Sequence, residues 1–215
     1  MLRYLLLIAT LLSCSSLLFP AESDATQLQH ALNKYKNTGV PSQSLKRLSP
    51  YNRLINYYSH FTFFRPRHKV SPDFIRALIL AESSADPLAV STKGAIGLGQ
   101  IIYSTGKQAA KELSSSQFTF RHVSRNTLAH LTEEDLFDPA VNILLTCYLI
   151  SKYNYKFNGR IELVISAWNA GENLVILKKG HPAPYQETYN LIGKVNSYYI
   201  DLIQKRKRKS TYRKR

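Results

Sequence analysis

No stretch of this chain alternates apolar and polar residues for long enough to make a strand, whereas helical spacing recurs from Tyr51 onward. Ser71-Pro72-Asp73 has the composition of a helix start. Serine suits the N-cap, proline the first turn, and aspartate the positive helix end. Ile75, Leu78, Ile79 and Glu82 follow at spacings of three, four and seven, which is one helix face. Helical patterns return over 103–113, 139–153, 161–170 and 188–204. The pattern predicts a mainly α fold with one domain over 51–204 and no internal repeat. Residues 24–50, with Gly39, Pro41 and Pro50, read as a linker with one short helix over 27–36. Residues 114–130 are polar and irregular and read as a surface insertion.

The amino terminus reads as an address. Met-Leu-Arg precedes an apolar run over 4–12, the layout of a secretory signal. A membrane anchor needs roughly 20 apolar residues, and Ser13, Ser15 and Ser16 interrupt this run. Ala21-Glu22-Ser23 and Ser23-Asp24-Ala25 offer small residues to an ordinary signal peptidase. Leu11-Leu12-Ser13-Cys14 resembles a bacterial lipobox, which would lipidate Cys14. The leucine before Ser13 departs from the usual pattern, so ordinary cleavage ranks first. Residues 1–23 are thus expected to be a signal peptide or a lipoprotein signal, and the mature protein to work outside the cytoplasm.

Charge and cysteine usage narrow the classes. The net charge is +15, and residues 205–215 contribute eight basic groups and no acid. The imbalance is concentrated in an electrostatic tail, not spread over a basic domain. A nucleic-acid role fits poorly with export and with the lack of any binding motif for it. Two cysteines do not make a disulfide scaffold, and Cys147, inside the apolar run 143–149, reads as a packing residue. His68, His122, His130 and His181 lack metal-ligand spacing and read as solvated.

Glu82 carries the chemical interest. It sits at the rim of an apolar helix face, where removal from water disfavours the charged carboxylate. A carboxyl still protonated near neutrality can donate a proton to a leaving oxygen. Taken alone, a solvated glutamate in a last helical turn is the commoner case. The segment that follows holds Gly94, Gly97 and Gly99, small residues that let backbone approach a ligand or a helix. Ser91 and Gln100 offer polar groups from the same segment.

Glu82-Ser83, Asp86-Pro87, Ser91, Gly94-Ala95, Gly97-Leu98 and Gln100 together resemble the signature of the soluble lytic transglycosylase family, whose lysozyme-like domain cleaves peptidoglycan. Three more blocks match in family order within residues 75–195. These are Asp138-Pro139 with Asn142-Ile143, Ala167-Trp168-Asn169-Ala170-Gly171, and Pro184-Tyr185-Gln186-Glu187-Thr188.

The resemblance implies a single lysozyme-like domain with Glu82 as its one catalytic acid. It implies that Ser91, Gln100 and Asn169 line the substrate groove, with Glu187 near it and Trp168 beside the acid or stacked on a sugar face. Asn142 takes a structural role, and Gly94, Gly97 and Gly171 shape backbone. The implied substrate is the peptidoglycan glycan strand, cut between N-acetylmuramic acid and N-acetylglucosamine with a 1,6-anhydro end and without metal or cofactor.

Three positions depart from the family pattern. Gly99 replaces a methionine, which is expected to open part of the groove wall. Trp168 replaces a tyrosine whose hydroxyl lies near the acid in the family. Leu191 replaces another tyrosine, although Tyr189 is close by. These departures leave two alternatives open: a hydrolytic lysozyme on the same fold, or a wall-binding or scaffolding subunit of an envelope secretion or conjugation apparatus. Export then places the chain in the periplasm or envelope, and the basic tail suits an anionic membrane surface or wall polymer.

Overall fold

The computed structural model describes residues 24–212, with side chains through Arg208. The signal segment 1–23, Cys14 and residues 213–215 lie outside the described residues. Ten helices make up most of the described chain: α1 (Asp24–Tyr35), α2 (Ser42–Leu48), α3 (Asn52–Ser59), α4 (Pro72–Ser83), α5 (Tyr103–Ser114), α6 (Arg125–Ala129), α7 (Pro139–Lys156), α8 (Ile161–Ala170), α9 (Val175–Lys178) and α10 (Gln186–Tyr212). Two short strands, β1 (Ala95–Ile96) and β2 (Ile101–Ile102), form an antiparallel hairpin that pairs Ala95 with Ile102 and Ile96 with Ile101. The mainly α expectation stands. None of the described helices is long and apolar enough to cross a membrane.

Helix α7 is the axis of the core. Every residue from Ala140 to Ser151 is buried, the state of a helix that is apolar on all sides. Its start is set by Asp138, whose carboxylate accepts the Ala140 N–H at 2.7 Å, and by Pro139 in the first turn. Cys147 is fully buried here, and burial pushes its thiol up to about 12, so it packs and does not react. Helix α4 begins at Ser71-Pro72 as its composition predicts and is buried from Asp73 to Ile75 and from Ala77 to Ala81. It packs against α10, α3 and α2.

Four expectations about the fold need correction. Residues 24–50 are not a linker. Helix α1 packs along α10, and Ala31, Val40 and Leu48 are buried, so Gly39 and Pro41 mark the turn into α2. Residues 114–130 are more than a surface insertion. Phe120, Val123 and Leu128 are buried, and the Phe120 ring meets Phe61 at 5.1 Å between centroids. The apolar residues sit singly among polar ones there, which conceals that this segment joins the main core, with Phe63 and Phe118 packed against it. The tail does not begin as a detached end. No glycine or proline follows Gly193, and α10 runs on to Tyr212. Lys205 pairs with Asp201 at 2.6 Å and Arg206 with Asp73 at 2.8 Å, which seats the first basic residues on the domain. His68, expected to be solvated, is buried against the Tyr155 ring.

Candidate active site

The end of α4 builds the site. The chain turns sharply after Ser83, because Ser84 and Ala85 both adopt left-handed backbone, with φ of 55° and 63°. Such residues cost on the order of 1 kcal/mol or more each and persist only when their surroundings hold them. Arg47 of α2 does so by donating from Nε to the Ser84 carbonyl at 2.9 Å. The Ser83 hydroxyl donates to the Leu98 carbonyl at 2.8 Å, and Ala85 is buried. Lys194 of α10 donates from Nζ to the Ala81 carbonyl at 2.7 Å. Cations at the carbonyl end of a helix oppose its partial negative charge.

Glu82 is half-buried at this helix end. The Trp168 indole N–H, from the last turn of α8, donates to its Oε1 at 2.8 Å. Burial pushes the Glu82 carboxyl up to about 7; the Trp168 bond and the Lys194 charge pull it down, while the Glu187 charge pushes it up. A carboxyl poised there is able both to give and to take a proton near neutrality. The indole stands where the family pattern has a tyrosine and supplies a donor, though an indole cannot accept.

The segment 91–100 folds back over α7. Asn142 is fully buried and uses its whole amide. Its Nδ2 donates to the carbonyls of Ile96 at 3.0 Å and Leu136 at 2.8 Å, and its Oδ1 accepts the Gly99 N–H at 2.8 Å. Gly97 has φ of 73°, and a Cβ there would lie 2.5 Å from both Asn142 Nδ2 and the Leu136 carbonyl. A Cβ on Gly99 would lie 2.3 Å from the Thr146 hydroxyl. That corrects the expected effect of Gly99: the position faces α7, with Thr146 in the space beside it, so its lack of a side chain does not widen a groove. Gly94 and Gly171 hold turns with φ of 76° and 92°.

The remaining expected residues divide between loop building and the groove. The Ser91 hydroxyl accepts the Ala95 N–H at 3.0 Å and the Lys93 N–H at 3.3 Å, closing the turn that leads into β1. Gln100 spends its amide nitrogen on the carbonyls of Ala89 at 3.0 Å and Gly97 at 2.9 Å. Both therefore shape the loop beside Glu82. Asn169 accepts the Thr188 hydroxyl at 2.5 Å and hydrogen-bonds Glu187. Glu187 also meets Lys93 at 2.5 Å, and this bond holds its carboxyl below the usual range. Tyr189 does not stand in for the tyrosine missing at Leu191. It is fully buried and its hydroxyl donates to Asp24 at 2.9 Å.

The structure thus brings Glu82, Trp168 and Lys194 together, with Glu187 and Asn169 beside them. Lys93, Arg47 and Lys194 escaped sequence reasoning. A faint signal exists for Lys194, which follows Glu187 by seven residues and so shares its helix face. Among the described residues, no three His, Cys, Asp or Glu side chains converge as metal ligands would.

Residues 63–190, more than half of the chain, match the family model described as the Transglycosylase SLT domain. A candidate soluble lytic murein transglycosylase of Haemophilus influenzae is 34% identical over 124 residues, 57% of this chain and 19% of that protein. Membrane-bound lytic murein transglycosylase C of Shigella sonnei is 32% identical over 144 residues, 64% of this chain and 35% of that protein. The chain therefore spans well under half the length of these relatives. An inactive mutant of lytic transglycosylase Slt from Pseudomonas aeruginosa aligns with a TM-score of 0.56 at 22% identity, over 72% of this chain and 24% of that one, a likeness of fold.

Proposed function

The chain belongs to the transglycosylase SLT domain family, and from that premise we propose that it is a peptidoglycan lytic transglycosylase with Glu82 as its single acid and base. The observation that carries the reading is the half-buried Glu82 carboxyl, held by the Trp168 N–H and pushed up to about 7 by burial. Its neighbour Glu187 is bound to Lys93 and held ionised, so it is poorly suited to act as a second proton donor. Ordinary glycosidases need two carboxyls about 5 to 9.5 Å apart. A lone carboxyl suffices when the substrate supplies the nucleophile.

In this course protonated Glu82 donates to the glycosidic oxygen, and the bond from that oxygen to muramyl C1 breaks. The neighbouring acetamido group stabilises the developing cation. Glu82, now a carboxylate, accepts the proton of the muramyl 6-hydroxyl as that oxygen bonds to C1. The carboxyl is restored, a 1,6-anhydro end is formed, and no water is consumed. Asn169 and Glu187 border the glycan, while Ser91 and Gln100 hold the loop that faces it.

Mass spectrometry of fragments released from purified sacculi tests this reading. Each new muramyl end is expected to be one water lighter than a hydrolysed end. Hydrolysed ends would assign a lysozyme reaction instead, and binding without release would assign a scaffolding role.

The reading places the protein in the envelope, with the basic end of α10 toward an anionic surface. Each exposed Lys or Arg adds up to about 1 kcal/mol near anionic headgroups. Removal of residues 207–215 is expected to weaken binding to vesicles containing phosphatidylglycerol about tenfold or more at low salt. Binding to phosphatidylcholine vesicles is expected to be weak for both forms, and half-molar salt to erase the difference. Equal binding by the full and shortened chains would remove the tail from this role.

A further inference from the structure

We infer that Lys194 is a positioning residue of this site: from α10 it grips the Ala81 carbonyl, one residue before Glu82, and presents a fixed positive charge to the carboxylate that Glu82 becomes on giving up its proton. The inference rests on the reading of Glu82 as the proton donor.

The need for such a charge follows from where Glu82 stands. It occupies the last turn of α4, where the aligned peptide dipoles place partial negative charge. It is also drawn out of water, and both conditions oppose an anion. A proton donor has to become that anion as the glycosidic bond breaks. Trp168 of α8 offers one uncharged N–H. Glu187, in the first turn of α10, acts on Glu82 in the unfavourable sense, although Lys93 of the turn before β1 binds it. Arg47 of α2 is committed to the Ser84 carbonyl. Lys194 is the cation whose charge acts on Glu82 in the favourable sense.

The geometry also fixes that cation in place. Its Nζ lies 2.7 Å from the Ala81 carbonyl and over the Tyr198 ring, 5.8 Å from the centroid, one turn further along α10. An ammonium held from two sides loses little mobility when the carboxylate forms, which is the condition for charge stabilisation without reorganisation. The coupling is reciprocal: burial pulls the Lys194 ammonium below the usual lysine range, and Glu82 pulls it back up.

Three variants separate the charge from the hydrogen bond. Lys194→Gln keeps an N–H donor for the Ala81 carbonyl without the charge, Lys194→Arg keeps the charge, and Lys194→Met keeps neither. The readouts are the alkaline limb of kcat/KM against pH and the titration of the Glu82 carboxyl by carbon-13 NMR, assigned by its absence in Glu82→Gln. In the Gln and Met variants both are expected to move up by about half a pH unit or more, with kcat falling about tenfold or more. The Arg variant is expected to keep kcat within about twofold and the titration near its original pH. An unmoved Glu82 titration in the Gln variant, or an Arg variant that behaves as the Met variant, would overturn the inference. Should the Met variant fail to fold, the Gln and Arg pair carries the comparison. The NMR titration needs no turnover. If Glu82→Gln proves active, the Glu82 reading falls while the Lys194 coupling is still measured.

Discussion

Glu82→Gln is expected to lower the release of anhydro-muropeptides from purified sacculi at least about 10³-fold while leaving sacculus binding in place. The substitution keeps the shape of the side chain and an oxygen for the Trp168 N–H, and it removes the transferable proton. Activity within tenfold of the parent would dismiss Glu82 as the acid. The same variant has a second, independent signature. The folded carboxyl holds its proton up to about pH 7, against an ordinary value of 4.5. Between those values the folded state binds more protons than the unfolded chain, so stability falls as pH rises. The favourable contribution is complete below about pH 4.5 and is lost as pH passes about 7. Glutamine does not titrate. The variant should therefore be more stable than the parent at pH 8 by about 2 to 3 kcal/mol, with the gain vanishing near pH 4. Thermal melts at the two pH values measure it, and a gain equal at both would mean the burial argument is wrong.

Asn142→Ala is expected to cost about 3 to 4 kcal/mol, equivalent to a fall in Tm of about 10 °C. Three hydrogen bonds leave at once, and the Gly99 N–H and the Ile96 and Leu136 carbonyls lose a partner in a buried place. Water has little room to replace the amide, since Gly97 and Gly99 press against α7 there. Activity should fall as well, because the clamped segment carries Ser91 and Gln100 beside Glu82. A loss of stability below about 1 kcal/mol in urea unfolding would show that something other than this clamp holds the segment.

What could be read from the sequence divides along a physical line. Helix α8 falls at 161–170 as its pattern predicts, and α4 starts at Pro72 with Asp73 in its first turn, as the local composition predicts, although the Ser71 side chain makes no capping hydrogen bond. Such features depend on neighbours in the chain. The resemblance singles out Glu82 and Trp168, and the fold joins these residues, 86 positions apart, by a hydrogen bond. The misses are all partnerships that local pattern cannot carry. The short helix read over 27–36 forms as α1, but it looks like part of a linker because its apolar face is narrow, and only α10 gives that face something to cover. Phe118 and Phe120 look like loop until Phe61 and Phe63 are brought beside them. Lys194 looks like any surface lysine until the end of α4 meets its ammonium. The resemblance implies that Ser91 and Gln100 line the groove, yet the bonds they make hold their own loop together. A polar side chain that serves backbone closure and one that serves a ligand have the same appearance in a sequence.

Lys194 and Arg206 belong to one unbroken helix. Twelve residues separate them, about 18 Å of rise. A support that grasps the far end of this rod would set both the height and the heading of the cutting edge. Glycan strands held at that standoff would come within reach, and those lying flat on the support would pass beneath it.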